Sequence, residues 1–431
     1  MRAWVQRVLS IREDEVRAVL IATAYGFCIF LSYYILRPVR DEISSADRGN
    51  LQIIWTAVFF VMLLAVPAYS ALVSRYSRGV FIPLANRFFA SNLAVFFAAL
   101  HLLPEVWRPW VDRVFYVWIS VFALFVVTVF WGFIADLFRN EQGKRLFGII
   151  AVGSSLGGIA GSALTVRLAE AINPFTLLII AMVPLEAAAR LARKLHRESG
   201  RESTALRKEG AEPIRGTAMS GIRVIRESPY LQKIAGYLAL MTFASTVLYF
   251  QQAELIGDAF TDDRAARTAF YAKIDLAVNL ITILTQGLLT AHIIRKIGIG
   301  LSLAFMPAVA FLGFFTLGLY PLLAVLVGLQ VLYRSGRYAI TKPSREVLFT
   351  VVSREQRYKS KSFIDAAVYR GGDLVSGWIY VGLAALGLSL GAIALVAAPV
   401  MVVWAGTGIL LGRDQEKRAA AEEPPGPGAP T

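Results

Sequence analysis

Apolar stretches, each long enough to carry a helix through a bilayer, follow one another from one end of this chain to the other. A helix rises 1.5 Å per residue and needs about 20 mostly apolar residues to cross a hydrocarbon core of roughly 30 Å. Windows of that kind fall near residues 17–41, 51–73, 81–103, 114–138, 146–168, 174–193, 231–255, 270–294, 299–319, 321–349, 363–386 and 389–411. Transmembrane strands would be about ten residues long with alternating polarity, a pattern absent here. With 56% of 431 residues hydrophobic, the chain is expected to be an all-α integral membrane protein with twelve transmembrane helices in two six-helix bundles.

Residues 194–230 are polar and charged and divide the spans six and six, so we assign 1–193 and 231–412 to two bundles and 194–230 to a linker. "GIRVIRESPY" within the linker suggests an interfacial helix, and residues 413–431 read as a disordered tail. The halves echo each other: the second and eighth spans are both followed by short, basic, glycine-bearing loops, as in transporters built from repeats. Arginines and lysines gather before the first span, after the last, in 74–79, 139–145, 295–298 and in the linker. The opposite loops, "HLLPEVWRPWVDR", "AEAIN" and "IGDAFTDDRAAR", are poorer in positive charge, which predicts both termini in the cytoplasm. The net charge of +14 is partly this bias and calls for no nucleic-acid partner. The basic, mixed start is not that of a cleavable signal peptide.

One cysteine, Cys28, and three histidines that never cluster, His101, His196 and His292, argue against metal sites and nucleophilic catalysis. "GSSLGG" lacks the lysine of a phosphate loop, so no enzyme and no cofactor are expected. Gly153, Gly157 and Gly161 recur every four residues in the fifth span and suit close helix packing.

The informative residues are charges in apolar surroundings, each costing about 2.5–3.5 kcal/mol at mid-membrane. In the first span Tyr33, Arg37, Arg40 and Ser44 share one helical face, with Asp41 and Glu42 beside them. In the tenth, Arg334, Tyr338, Thr341 and Arg345 form a stripe flanked by Arg337 and Lys342, and Pro343 permits a kink. The eighth carries Asp275, Asn279, Thr282 and Gln286; the eleventh Asp365, Tyr369 and Asp373 near Arg370. Asn86 and Arg87 lie in the third span, and Asp136 ends the fourth, where "GFIADLFRNEQGKR" suggests a gate. Arg87, Asp136 and Arg370 read equally well as flanking or structural charges. Several arginines facing one cavity call for an anion, because the guanidinium fork matches phosphate. Tyr33, Tyr34, Tyr333 and Tyr338 add flat surfaces for a ring, which points to a nucleotide or similar organic phosphate.

"SYYILRPVRDE", "FWGFIADLFRNEQGKRLFG" and "ITKPSREVLFTVVSREQRYKSKSFIDAAVYRGGD" resemble the ATP/ADP (NTP/NDP) translocases of plastids and obligate intracellular bacteria. The resemblance spans both halves. It implies a major-facilitator-like fold, a bacterial inner-membrane location and exchange of bound nucleotides, ATP among them, by alternating access. The family's cation after a proline in the first span matches Arg40, with Arg37 nearby; its tenth-span cation matches Arg345, followed by Glu346. Two family carboxylates are replaced, by Trp118 in the fourth span and by Gln251 or a near neighbour in the seventh. We therefore expect a monomeric antiporter of an anionic, phosphate-bearing substrate of open identity. Arg87, Arg337, Tyr338, Lys342 and Arg370 complete the candidate substrate contacts, and Asp136, Asp275, Glu346 and Asp373 are candidate coupling or gating groups. Two other readings stay open: a proton-coupled carrier of another solute on the same fold, and a non-transporting scaffold or lipid-handling protein.

Overall fold

The computed structural model describes residues 12, 15–76, 78–138, 140–199, 218–288 and 290–422. Among the described residues all regular structure is helical, as hydrocarbon demands of a backbone that must satisfy its own hydrogen bonds. The first half contains α1 (Val16–Ala46), α2 (Leu51–Arg75), α3 (Arg78–Leu102), α4 (Arg108–Leu137), α5 (Asn140–Leu168) and α6 (Thr176–Ser199). A short amphipathic helix, α7 (Ala218–Glu227), covers most of "GIRVIRESPY". Then come α8 (Pro229–Ala259), α9 (Arg264–Leu288), α10 (Thr290–Leu319), α11 (Leu323–Gly336), α12 (Lys342–Leu348), α13 (Arg354–Phe363), α14 (Tyr369–Ala385) and α15 (Leu390–Glu422).

Nine helices among the described residues are long and apolar enough to cross a membrane: α1 to α5, α8, α9, α10 and α15. The sequence's sixth, tenth and eleventh candidates stand outside that set, for two physical reasons. Helix α6 carries Glu186, Arg190 and Arg193 within its length. The tenth and eleventh are not single α-helices, because wider π-helical turns at Arg337–Thr341 and Ile364–Val368 divide α11 from α12 and α13 from α14. Helix α15 continues to Glu422 through "RDQEKRAAAE", residues that composition alone assigns to a tail. Ala, Glu, Lys and Arg are good helix formers, and Asp414 on that stretch binds Lys233 of α8 at 2.6 Å. The last residues of the expected tail, 423–431, lie outside the described residues.

The chain forms two compact units. One lies within Met1–Ala211 and Phe260–Asn279, the other within Glu212–Ala259 and Leu280–Thr431, so the residues of α9 divide between them at Asn279. In the first unit α1 runs along α5 and α6, while α3 pairs with α6. The α1–α5 seam is the glycine row seen in the sequence. A Cβ added at Gly153, Gly157 or Gly161 would sit 2.5, 2.3 or 2.6 Å from the carbonyl oxygens of Thr23, Phe27 and Leu31. The packing reading of these glycines therefore describes the seam. In the second unit α10 lies against α15, where Gly300 meets Gly412, and α8 packs on α14 and α15. Helix α10 turns at Gly298, whose φ of +79° is open to glycine and strained for other residues.

Candidate functional site

Helix α1 does not stop at its charges. It stays helical through Pro38 to Ala46, so Arg37, Arg40, Asp41 and Glu42 belong to the helix body. Tyr33, Arg37 and Arg40 are half-buried on one face, while Leu36, Val39 and Asp41 are buried. Each arginine is held by carboxylate and aromatic ring together. Arg37 Nε lies 3.4 Å from Asp41 Oδ2 and 3.6 Å from Asp275 Oδ2, with its guanidinium 5.8 Å from the Tyr34 ring centre. Arg40 donates through Nε and Nη2 to Asp41 Oδ1 at 2.9 and 2.5 Å, and lies 5.5 Å from the Tyr116 ring centre. Tyr33 meets Tyr34 edge to face at 5.2 Å. Farther along, Tyr271 of α9 shares hydrogen bonds with Ser45 at 2.7 Å and Ser44 at 3.4 Å. Asn279 donates weakly to Ser162 at 3.4 Å.

The second unit builds its charged region around the two π turns. Proline at 343 has no N–H to give the carbonyl four residues back, that of Ala339. Thr290 Oγ1 donates to that carbonyl at 2.8 Å, and Gln286 Nε2 donates to the carbonyl of Tyr338 at 3.1 Å. The expected kink at Pro343 is thus a π turn braced from outside. A π turn inserts a residue and rotates the helix beyond it by about 100°. The stripe Arg334, Tyr338, Thr341, Arg345 read at regular helical spacing is therefore broken between Arg334 and Arg345. Arg337 and Tyr338 lie on the turn itself, half-buried, with the Arg337 guanidinium 5.4 Å from the Tyr338 ring centre. Lys342 is exposed beyond it. Arg345 reaches Asp365 and Glu346 at 3.2 Å each, and Glu346 accepts from Lys361 at 2.5 Å. This chain of charges joins α12 to α13 and the second π turn. Arg370 lies 3.6 Å from Asp373, which also accepts from Thr246 at 3.4 Å.

Other candidates sit apart. Arg87 gives both arms of its fork to Glu186 at 2.9 and 2.8 Å, and Glu186 also accepts from Arg190 at 2.9 Å, forming a clamp between α3 and α6. It does not join the α1 arginines. Asp136 is exposed in the last turn of α4, and the side chains of Arg139, Glu141, Lys144 and Arg145 in the proposed gate lie outside the described residues. Trp118 stacks on Phe122 with ring centres 5.4 Å apart and touches Phe89, Phe96 and Phe115, so an aromatic cluster occupies the position. Gln251 is buried and donates to the Leu390 carbonyl at 2.9 Å. The sequence reading missed the partner of Arg87 and a cluster made by Glu42, Asp112, Arg264 and Arg267. For the latter the available signal was a pair of arginines three residues apart at the very start of a helix. Among the described residues no three His, Cys, Asp or Glu side chains are grouped to hold a metal ion.

Solved structures show where this fold recurs. A POT family transporter, PepTSo, superposes with a TM-score of 0.60 at 14% identity, covering 94% of this chain and 98% of that one. The nucleoside transporter NupG gives 0.59 at 11% identity, covering 93% and 99%. A bacterial homologue of the lysosomal transporter Spinster gives 0.58 at 15% identity, covering 95% and 99%. At these identities the likeness is one of fold alone. In sequence, the chain is 23% identical to ADP,ATP carrier protein 1 of Chlamydia pneumoniae over 474 aligned positions, covering 91% of this chain and 90% of the relative. It is 21% identical to the chloroplastic ADP,ATP carrier protein 1 of Arabidopsis thaliana, covering 88% and 70%. The model of the TLC ATP/ADP transporter family matches residues 84–413, and this multi-pass membrane chain belongs to that family of transporters.

Proposed function

We propose that this protein exchanges nucleotides or related organic phosphates across a bacterial cytoplasmic membrane by alternating access, with twelve spans in two six-helix bundles and both termini cytoplasmic. The observation that carries the reading is the unbroken run of α1 through Arg37 and Arg40, which sets two half-buried guanidiniums inside an apolar helix. The names of the relatives support the substrate class. Tyr33, Arg37, Arg40, Arg337, Tyr338, Lys342, Arg345 and Arg370 are the proposed substrate contacts. Asp136, Asp275, Glu346 and Asp373 are the proposed coupling groups.

Both Arg40 and Arg345 are held by carboxylates, which adds a condition to the mechanism. Arg37 lies against Asp41 and Asp275, and Arg40 against Asp41, so carboxylates already occupy the guanidinium forks a substrate would need. A phosphate binds by taking guanidinium forks from carboxylates. That exchange is favourable because a phosphate offers more acceptor oxygens and more charge than one carboxylate. It also releases Asp275 whenever substrate arrives, and a released carboxylate at membrane depth needs water, a proton or a new partner.

Proteoliposomes loaded with ATP, ADP or another nucleotide should take up labelled nucleotide faster than empty ones. Uptake indifferent to internal load for every nucleotide and sugar phosphate tried would reject exchange. The second reading, a proton-coupled carrier, is favoured by the same carboxylates; it predicts uptake driven by an imposed pH gradient with no internal substrate.

A further inference from the structure

One buried charge network lies outside the proposed substrate contacts. Inside the first unit, Glu42 of α1 is fully buried (0% exposed), and its Oε1 accepts from Arg267 Nη2 at 2.8 Å and Nε at 3.2 Å. Its Oε2 lies 3.2 Å from Arg264 Nε, and Arg264 Nη2 binds the Asp112 carboxylate of α4. Arg267 also donates to the Phe260 carbonyl at 2.7 Å, and the Arg264 guanidinium lies 4.8 Å from the Phe175 ring centre. Next to it Arg113 of α4 binds Asp47 at 2.6 Å. Two carboxylates meet two guanidiniums, so the four-residue network is neutral.

Local preference does not explain its arginines. Arg264 and Arg267 occupy the first turn of α9, where the helix macrodipole disfavours positive charge. Their carboxylate partners supply the reason. All contributing segments come from loops and helix ends on the side that lysine and arginine bias predicts to be extracytoplasmic: 101–113, 169–175 and 256–267, joined by the last turns of α1. Contacts of Tyr271 with Ser44 and Ser45, then of Asp275 with Arg37, continue the attachment of α9 to α1.

We propose that Glu42, Asp112, Arg264 and Arg267 form a latch that closes the extracytoplasmic ends of α1, α4 and α9, and that its separation opens the protein on that side. Such a network has two stable conditions, joined and dry or separated and hydrated. Anything between them leaves a buried charge without its partner, which is strongly unfavourable. The inference does not depend on what is carried.

The test uses the full chain with Cys28→Ser and a single reporter, Ser45→Cys, at the buried position beside Tyr271. A membrane-impermeant maleimide applied from the extracytoplasmic side should label it slowly. Asp112→Asn and Glu42→Gln should each raise the labelling rate by about tenfold, since either leaves one buried positive charge in excess of the remaining carboxylate in the joined state. The charge-retaining Asp112→Glu should leave the rate near the slow value. Unchanged labelling in Asp112→Asn and Glu42→Gln, or labelling of Asp112→Glu as fast as that of Asp112→Asn, would overturn the latch. Should Glu42→Gln fail to fold, Asp112→Asn and Asp112→Glu decide alone.

Discussion

Replacing Gly157 by alanine should weaken the protein, whereas the same change at Gly148, nine residues earlier on the same helix, should strengthen it. At Gly157 the new Cβ would lie 2.3 Å from the Phe27 carbonyl oxygen and 3.0 Å from its carbonyl carbon, both backbone atoms that no rotamer change can move. Restoring ordinary contact requires α1 and α5 to separate by about 1 Å, and overpacking of this kind costs about 1–3 kcal/mol. Alanine's better helix propensity returns about 1 kcal/mol, so the net effect is a loss of about 0–2 kcal/mol. Gly148 is exposed with nothing within 4 Å of its added Cβ, so there only the propensity gain of about 1 kcal/mol remains. The two variants should therefore differ by about 1–3 kcal/mol in unfolding titrations of purified protein by SDS in mixed micelles. Gly157→Ala should also slow transport, because the displaced helix carries Arg37 and Arg40, and a misplacement of about 1 Å is costly to a positioned site. Equal midpoints for the two variants, or a Gly157→Ala protein the more stable, would refute the seam as described.

Three shorter tests address the charged regions. Thr290→Val removes the donor to the Ala339 carbonyl at the π turn and should cost about 0.6 kcal/mol, up to about 1.7, in the same titration. Asp275→Asn frees Arg37 from one competitor and should tighten nucleotide binding several-fold in a radioligand assay; weaker binding would count against displacement of carboxylates by substrate. Arg87→Gln breaks the clamp on Glu186 and should lower thermal stability while leaving the nucleotide Kd unchanged; a raised Kd would return Arg87 to the substrate contacts.

The fold was legible in the sequence wherever a single helix answers to composition alone. The α1 face from Tyr33 to Arg40 and the glycine seam of α5 emerge from helical spacing and need no partner to be recognised. The stripe of the tenth span failed because its register depends on a π turn, and that turn is braced by Thr290 and Gln286, far away in the chain. Likewise, nothing near Arg87 names Glu186, 99 residues later, as its partner. Arg264 and Arg267 looked like loop charges because a positive-charge count asks only which side of the membrane a residue favours. Trp118 and Gln251 were found only as departures from a family pattern; the structure adds that one is packed among phenylalanines and the other braces the start of α15.

Equilibrium binding of whichever labelled nucleotide exchanges fastest, compared between the unaltered protein and its Arg40→Gln and Arg345→Gln variants, tests the account at its centre. A hydrogen bond to a charged group contributes about 1.5–3 kcal/mol, so each substitution should raise Kd by about tenfold or more while the variants stay folded. Folded variants that bind with the original Kd would contradict the assignment of these guanidiniums to the substrate.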